Sequence, residues 1–145
     1  MMIRKPIDLV FQAFIDPVYT TNFWFTKSSG KLEKGKKVFW EWEMYQVSAE
    51  VYVQEIIPNQ LISIIWDEPN TTVDFIFTKI SEEATYVVIK NYGFHQTGDA
   101  LIAAIKDNTG GFTTVLDGCK AFLEHGLQLN LVADKFPREL MDQSK

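Results

Sequence analysis

The sequence predicts an α+β architecture, in which consecutive antiparallel strands form a curved sheet and a long helix near the C-terminus covers one of its faces. Three observations carry that expectation. Apolar and polar residues alternate with a period of two from Lys36 to Tyr92, the spacing lengthens to that of a helix after Gly93, and a briefer helical pattern opens the chain. The 145 residues have the size of one ordinary domain, and a composition of 46% hydrophobic and 14% aromatic residues is enough to bury a core.

Taken in order, Pro6 to Ile15 reads as a helix. Asp8 is placed to cap it, Val10, Ala13 and Phe14 share its apolar face, and Asp16-Pro17 ends it. Val18 to Asn22 forms a second short helix ahead of the cluster Phe23-Trp24-Phe25, and Ser28 to Gly35 reads as loop. Val38, Trp40, Trp42 and Met44 then alternate with Lys37, Phe39, Glu41 and Glu43, with Phe39 the apolar exception on the outer face. Ala49, Val51 and Val53 form the inner face of the next strand, and the Pro58-Asn59 turn leads into Leu61 to Trp66. A turn over Asp67 to Thr71 precedes Val73, Phe75 and Phe77. Ser81-Glu82-Glu83 leads into Thr85 to Tyr92, where Val87, Ile89 and Asn91 point inward. At least five strands are expected. Beyond Gly93, Asp99 to Ile105 reads as a short helix and Gly110-Gly111 as a hinge. Phe112, Val115, Leu116, Cys119, Phe122 and Leu123 follow as one stripe of a longer helix that ends at Gly126. Leu127, Leu129, Leu131 and Val132 suggest a further packed segment.

Several function classes drop out on composition. Fourteen Lys plus Arg against 19 Asp plus Glu give a net charge of -5, which repels polyphosphates and anionic membranes and argues against a nucleic-acid partner. One cysteine, Cys119, cannot form an internal disulfide and fits a reducing compartment. No run reaches the roughly 20 apolar residues of a membrane span, and the opening residues do not read as a secretory signal. A cytoplasmic protein of one domain, residues 1–145, is expected. No phosphate-cradling glycine loop, metal-ligand spacing or Ser-His-Asp order is present, so neither a cofactor nor a metal is expected.

Four stretches together resemble a known family: Ile7-Asp8-Leu9-Val10-Phe11-Gln12-Ala13-Phe14-Ile15-Asp16-Pro17, Pro58-Asn59-Gln60-Leu61 ahead of Trp66, the Thr85 strand ending at Gly93-Phe94, and Gly111 to Gly126. In order and separation they are similar to the START-like (SRPBCC) superfamily, and within it to the bacterial branch resembling the activator of the ninety-kilodalton heat-shock protein ATPase. The likeness covers about Ile3 to Gly126. It implies a helix-grip (START/Bet v-like) fold, a curved antiparallel sheet wrapped around the long C-terminal helix, with a cavity between them that often holds an apolar ligand. This chain departs from the pattern twice. Phe112 stands where many relatives have Trp, which removes an N–H donor. The first strand has only Met1 to about Arg4 to draw on, so it is either very short or incomplete; an edge left uncovered there would invite a homodimer.

Within that expectation Trp24, Trp40, Trp42, Trp66, Phe75, Phe77, Phe112 and Leu116 are candidate cavity walls, each with ordinary core packing as the alternative. Asn91, an inward amide in need of partners, and His95, after the strand-end Gly93-Phe94, are the candidates to orient a ligand. His125 at a helix end complements the helix dipole. Glu41, Glu43 and Glu50 face outward, whereas Glu55 continues the inward face as a rim carboxylate or a solvated strand end. Cys119 on an apolar helix face reads as a small buried hydrophobe. Three functions follow from this: non-catalytic binding of an apolar or aromatic small molecule, a chaperone-partner domain, and an enzyme of cyclase or hydrolytic type whose cavity water would be activated by Asn91 or Glu55.

Overall fold

The computed structural model describes residues 1–66 and 70–141. The strands are β1 (Met2–Ile3), β2 (Lys27–Ser28), β3 (Lys37–Trp42), β4 (Val47–Ile57), β5 (Leu61–Trp66), β6 (Thr72–Ser81) and β7 (Ala84–Tyr92). The helices are α1 (Ile7–Ile15), α2 (Pro17–Thr20), α3 (Gly98–His125), α4 (Leu131–Lys135) and α5 (Arg138–Met141). All neighbouring strands pair antiparallel, in the order β1-β7-β6-β5-β4-β3-β2. The six strands from β2 to β7 follow one another in sequence and in space, and only β1 is placed out of order, beside β7.

Alternation decides which side chains form the core. Val38 and Trp40 on β3, Val51 and Val53 on β4, Ile62 and Ile64 on β5, Val73, Phe75 and Phe77 on β6, and Val87 on β7 are all buried on one sheet face. Phe11 and Phe14 of α1 meet that face: Phe11 lies edge-on to Phe77 at 5.1 Å, and Phe14 lies 5.4 Å from Phe75. The opposite face carries a polar ladder across four strands. Gln54 Nε2 donates to Ser63 Oγ at 2.7 Å, Ser63 Oγ donates to Asp74 Oδ1 at 2.6 Å, and Tyr92 Oη donates to Asp74 Oδ2 at 2.9 Å.

Several local expectations are corrected. Pro6, not Asp8, holds the cap position of α1, and Asp8 lies in the first turn, where its charge still complements the helix dipole. Asp16 is the residue that caps, its Oδ1 accepting from the N–H of Val18 at 3.0 Å to start α2. Met44 does not continue β3, because the chain leaves the strand after Trp42 in a single 3-10 turn, Glu43–Tyr45, closed by Gln46 at φ 52°. Ser28 is not loop; it pairs with Trp40. The turn expected over Asp67 to Thr71 lies partly outside the described residues.

The face of Glu55 is reversed. A bulge between Val53 and Glu55 in the β4–β5 ladder shifts the alternation by one residue, so Ile56 takes the inward position opposite the buried Ile62. Glu55 instead turns outward and pairs with Lys34 at 3.2 Å.

Gly110-Gly111 does not break the last helix, which runs unbroken from Gly98 to His125. Two interior glycines cost a helix roughly 1 kcal/mol each relative to alanine. The apolar stripe of the residues that follow outweighs that cost. Gly126, at φ 67°, closes α3 with a left-handed cap that a side chain would strain. The tail does return toward the body as α4 and α5, but no residue of either is buried.

Candidate functional site

α3 meets the sheet unevenly. Its buried residues, Val115, Gly118 and Cys119, all lie in the C-terminal half. Gly118 sets the closeness of that contact, since a Cβ there would lie 3.1 Å from Phe23 Cβ and 3.2 Å from the Phe23 carbonyl oxygen. Burial, with the nearby Glu124 carboxylate adding to it, pushes the Cys119 thiol up to about 12, so it is a packing group rather than a nucleophile.

The N-terminal half of α3 stands away from β7 and leaves a cleft of about 490 Å³. Ile89, Leu101, Ile105, Phe112 and Leu116 form its apolar walls, and Asn91, Asn108, Thr109 and Thr113 add neutral polar groups. Tyr92 is the one ionisable residue of the lining, and its hydroxyl is turned to Asp74 on the opposite face of the sheet. Asn91 Nδ2 donates to Thr71 Oγ1 and to the Thr72 carbonyl, both at 2.8 Å, which leaves Oδ1 buried without a partner among the described residues. A buried acceptor left unpaired costs about 1–3 kcal/mol.

A second cavity, of about 190 Å³, lies on the other side of Phe112 and Asn108. Trp24, Trp66 and Phe112 form its aromatic floor, with Trp24 and Phe112 edge-to-face at 5.9 Å. Val132, Lys135 and Phe136 reach across it from the tail. The indole N–H of Trp66 is buried and has no acceptor among the described residues.

The expected wall residues therefore separate into two groups. Asn91, Phe112 and Leu116 line the larger cavity, and Trp24, Trp66 and Phe112 the smaller. Trp40, Phe75 and Phe77 line neither. Trp40 is 1% exposed, stacked on Phe25 at 4.5 Å and covered by Trp24 at 4.8 Å, while Phe75 and Phe77 lie beneath the phenyl rings of α1. Trp42 is half-buried at the rim of the aromatic cluster, 6.5 Å from Trp66. His95 and His125 are exposed and Glu55 is half-buried, and none of the three lines either cavity.

Leu101, Ile105, Asn108 and Thr109 were not among the sequence candidates. Their signal was present, since 101, 105, 108, 109, 112 and 116 fall on one face of a continuous helix. Reading Gly110-Gly111 as a hinge severed that face. Among the described residues no group of three or more His, Cys, Asp or Glu side chains is placed to hold a metal ion, and no helix is long and apolar enough to cross a membrane.

The profile of the family described as Activator of Hsp90 ATPase homolog 1-like protein matches residues 4–124. Among solved structures, protein SSP2350 from Staphylococcus saprophyticus is 26% identical with a TM-score of 0.78, over 89% of this chain and 91% of that one. The Aha1 dimer from Colwellia psychrerythraea has a TM-score of 0.70 at 17% identity, covering 87% and 93% of the two chains. CalU16 from Micromonospora echinospora has a TM-score of 0.67 at 16% identity, covering 95% and 80%. At such identities the last two show the shared fold. No curated protein sequence matches the chain.

Proposed function

From a chain that belongs to the Activator of Hsp90 ATPase homolog 1-like family, within the START-like superfamily, we propose a protein that binds an uncharged, largely apolar small molecule between β7 and α3. The observation that carries this reading is the 490 Å³ cleft, whose volume falls in the range of about 300–1,000 Å³ typical of small-molecule sites. Burial against Ile89, Leu101, Ile105, Phe112 and Leu116 would drive affinity. A carboxylate or ammonium would find no opposite charge in this lining, so its desolvation would go uncompensated. Asn91 Oδ1 offers an acceptor to a ligand hydroxyl or N–H once whatever covers it gives way.

The test is fluorescence titration with N-phenyl-1-naphthylamine, a neutral apolar probe. Wild type is expected to bind it in the micromolar range. Ile105→Asp, which places a charge in the wall, should abolish binding, and Ile102→Asp, on the 64% exposed side of the same helix, should leave it intact. No binding by the wild type, or equal binding by both variants, would overturn the reading. Native mass spectrometry with denaturing extraction adds the chemical class of any retained molecule and tells monomer from dimer.

A chaperone-partner role is the second reading, supported by the family description and by the fold shared with the Aha1 dimer. It needs an exposed surface and not a cavity. Acceleration of a chaperone ATPase by the Ile105→Asp variant as well as by wild type would favour it, and no acceleration by either would remove it. The enzyme reading has the least support, because, of its two residues, Glu55 is paired with Lys34 and lines neither cavity, and Asn91, which does line the cleft, is a neutral amide.

A further inference from the structure

We propose that the segment after α3, from Leu127 to Phe136, is a strap that occupies the Trp24–Trp66–Phe112 floor in place of a ligand, with the Tyr45 hydroxyl as its latch. The inference rests on the binding reading above and concerns the regulation of that site.

The strap is placed on the floor but held loosely. Val132, Lys135 and Phe136 line the 190 Å³ cavity opposite the indoles, and that volume is too small for an ordinary ligand while they are there. Yet α4 has five residues, far fewer than the 12–15 that make an isolated helix even marginally stable, and none of them is buried. Phe136 is 58% exposed, and Leu127 and Leu129 are exposed too. Both ends of the connection to α4 have left-handed backbone, Gly126 at φ 67° and Asn130 at φ 56°.

What fastens the strap is polar. The single proton of Tyr45 Oη is shared among the carbonyl oxygens of Val132 at 2.8 Å, Phe136 at 2.9 Å and Ala133 at 3.4 Å. Gln128 Nε2 donates to Asn22 Oδ1, and Lys135 Nζ lies 3.4 Å from Thr114 Oγ1. Gly110 leaves room for that ammonium, since a Cβ there would stand 3.0 Å from Lys135 Nζ. On that floor the Trp66 N–H is buried without a partner among the described residues, a cost that access to water would relieve. The family profile ends at residue 124, so the strap lies wholly outside the matched residues.

Phe112 and Asn108, both on α3, are shared by both cavities, so the strap's seat and the ligand cleft are separated by these two side chains. A ligand that reaches past Phe112 onto the indole floor competes with the strap, and its apparent affinity scales with the fraction of molecules whose strap is open.

The test uses the full chain and two variants, Tyr45→Phe, which removes the latch, and Val132→Asp, which weakens the seat from the strap's side. Loss of one hydrogen bond should speed hydrogen exchange over Leu127–Phe136 by about 2- to 12-fold while leaving Val115–Phe122 unchanged. Acrylamide quenching of tryptophan fluorescence should rise in both variants, and affinity for N-phenyl-1-naphthylamine should rise by the factor seen in exchange. Unchanged exchange in both variants overturns the latch. Faster exchange with unchanged quenching and unchanged affinity overturns the competition. If the probe binds no form of the protein, the binding reading fails by itself, and exchange with quenching decides whether the strap covers the indoles.

Discussion

The two halves of α3 face the same sheet and solve opposite problems. From Val115 onward the helix is pressed into a solid core, with Gly118 against the Phe23 backbone and Cys119 fully buried. From Gly98 to Phe112 no residue is buried, and Leu101 and Ile105 face Ile89 across a cleft of about 490 Å³. The difference is one of side-chain size and backing. Under the packed half, Phe14 and Phe23 fill the space between α1 and the rest of the core, their rings meeting edge-on at 5.6 Å. Beside the open half, β7 turns Ile89 and Asn91 toward the helix, and the facing residues Leu101 and Ile105 do not reach burial against them. A continuous helix grips with one end and leaves the other for a guest.

The contrast breaks most directly by truncating one large side chain in each half. Trp40→Ala in the filled core is expected to cost about 3–5 kcal/mol, because the surrounding rings cannot collapse into the space. Leu101→Ala at the cleft should cost under about 1 kcal/mol, since little burial is lost there. Urea unfolding compares the two, and similar costs would mean that the open half is packed in solution.

The glycines of α3 sharpen the same comparison at smaller magnitude. Gly118→Val forces a side chain against Phe23 and should destabilise by about 1–3 kcal/mol. Gly111→Ala, with nothing within 4 Å of the added carbon, should stabilise by about 0.5–1 kcal/mol through helix propensity. Equal signs for the two substitutions would remove the distinction between a gripping and a free half.

Cys119 reports on the grip chemically. With its thiol pushed up to about 12 from a usual 9.0, the thiolate fraction at about pH 8 falls by roughly a thousandfold, and burial adds to the protection. Alkylation by iodoacetamide should therefore await unfolding. Rapid labelling of the native protein would show that this half of the helix opens.

Legibility in the sequence followed the same division. Alternation of large and polar residues made β3 to β7 readable, and the 3.6 period from Phe112 made the packed half of α3 readable, because in both cases burial enforces the pattern. The open half obeys no such demand. Its apolar face is spaced correctly, but two glycines interrupt its propensity, and only continuity with the stripe beyond them reveals the helix. Glu55 was misplaced because one extra residue in β4 reverses the alternation, and no composition signal marks a bulge. Trp40 and Phe77 were indistinguishable from cavity walls, since an inward ring looks the same in sequence whether another ring or a space lies above it. The tail was legible as a further packed segment, but its anchor was not, because Tyr45 lies 87 residues from Val132.

The smallest effect expected is electrostatic, and it too should divide the molecule. At the packed end of α3, burial pushes the Glu124 carboxyl up, but the Arg4 backbone N–H at 3.0 Å, the Lys120 hydrogen bond and the charges of Lys120 and His125 outweigh it and hold the group below its usual range. A carboxyl whose folded pKa lies below its unfolded value releases its proton more readily when folded. Its stabilisation is thus complete above the unfolded value of 4.5 and is lost as pH falls from there through the folded value. Glu124→Gln should lower stability at about pH 7, and the gap from wild type should narrow as pH falls below 4.5 in urea unfolding. The cleft has no carboxylate or ammonium in its lining, so binding of a neutral probe should stay level from about pH 5 to pH 8. Binding that instead tracked Glu124 would mean that the grip at one end of the helix sets the width of the cleft at the other.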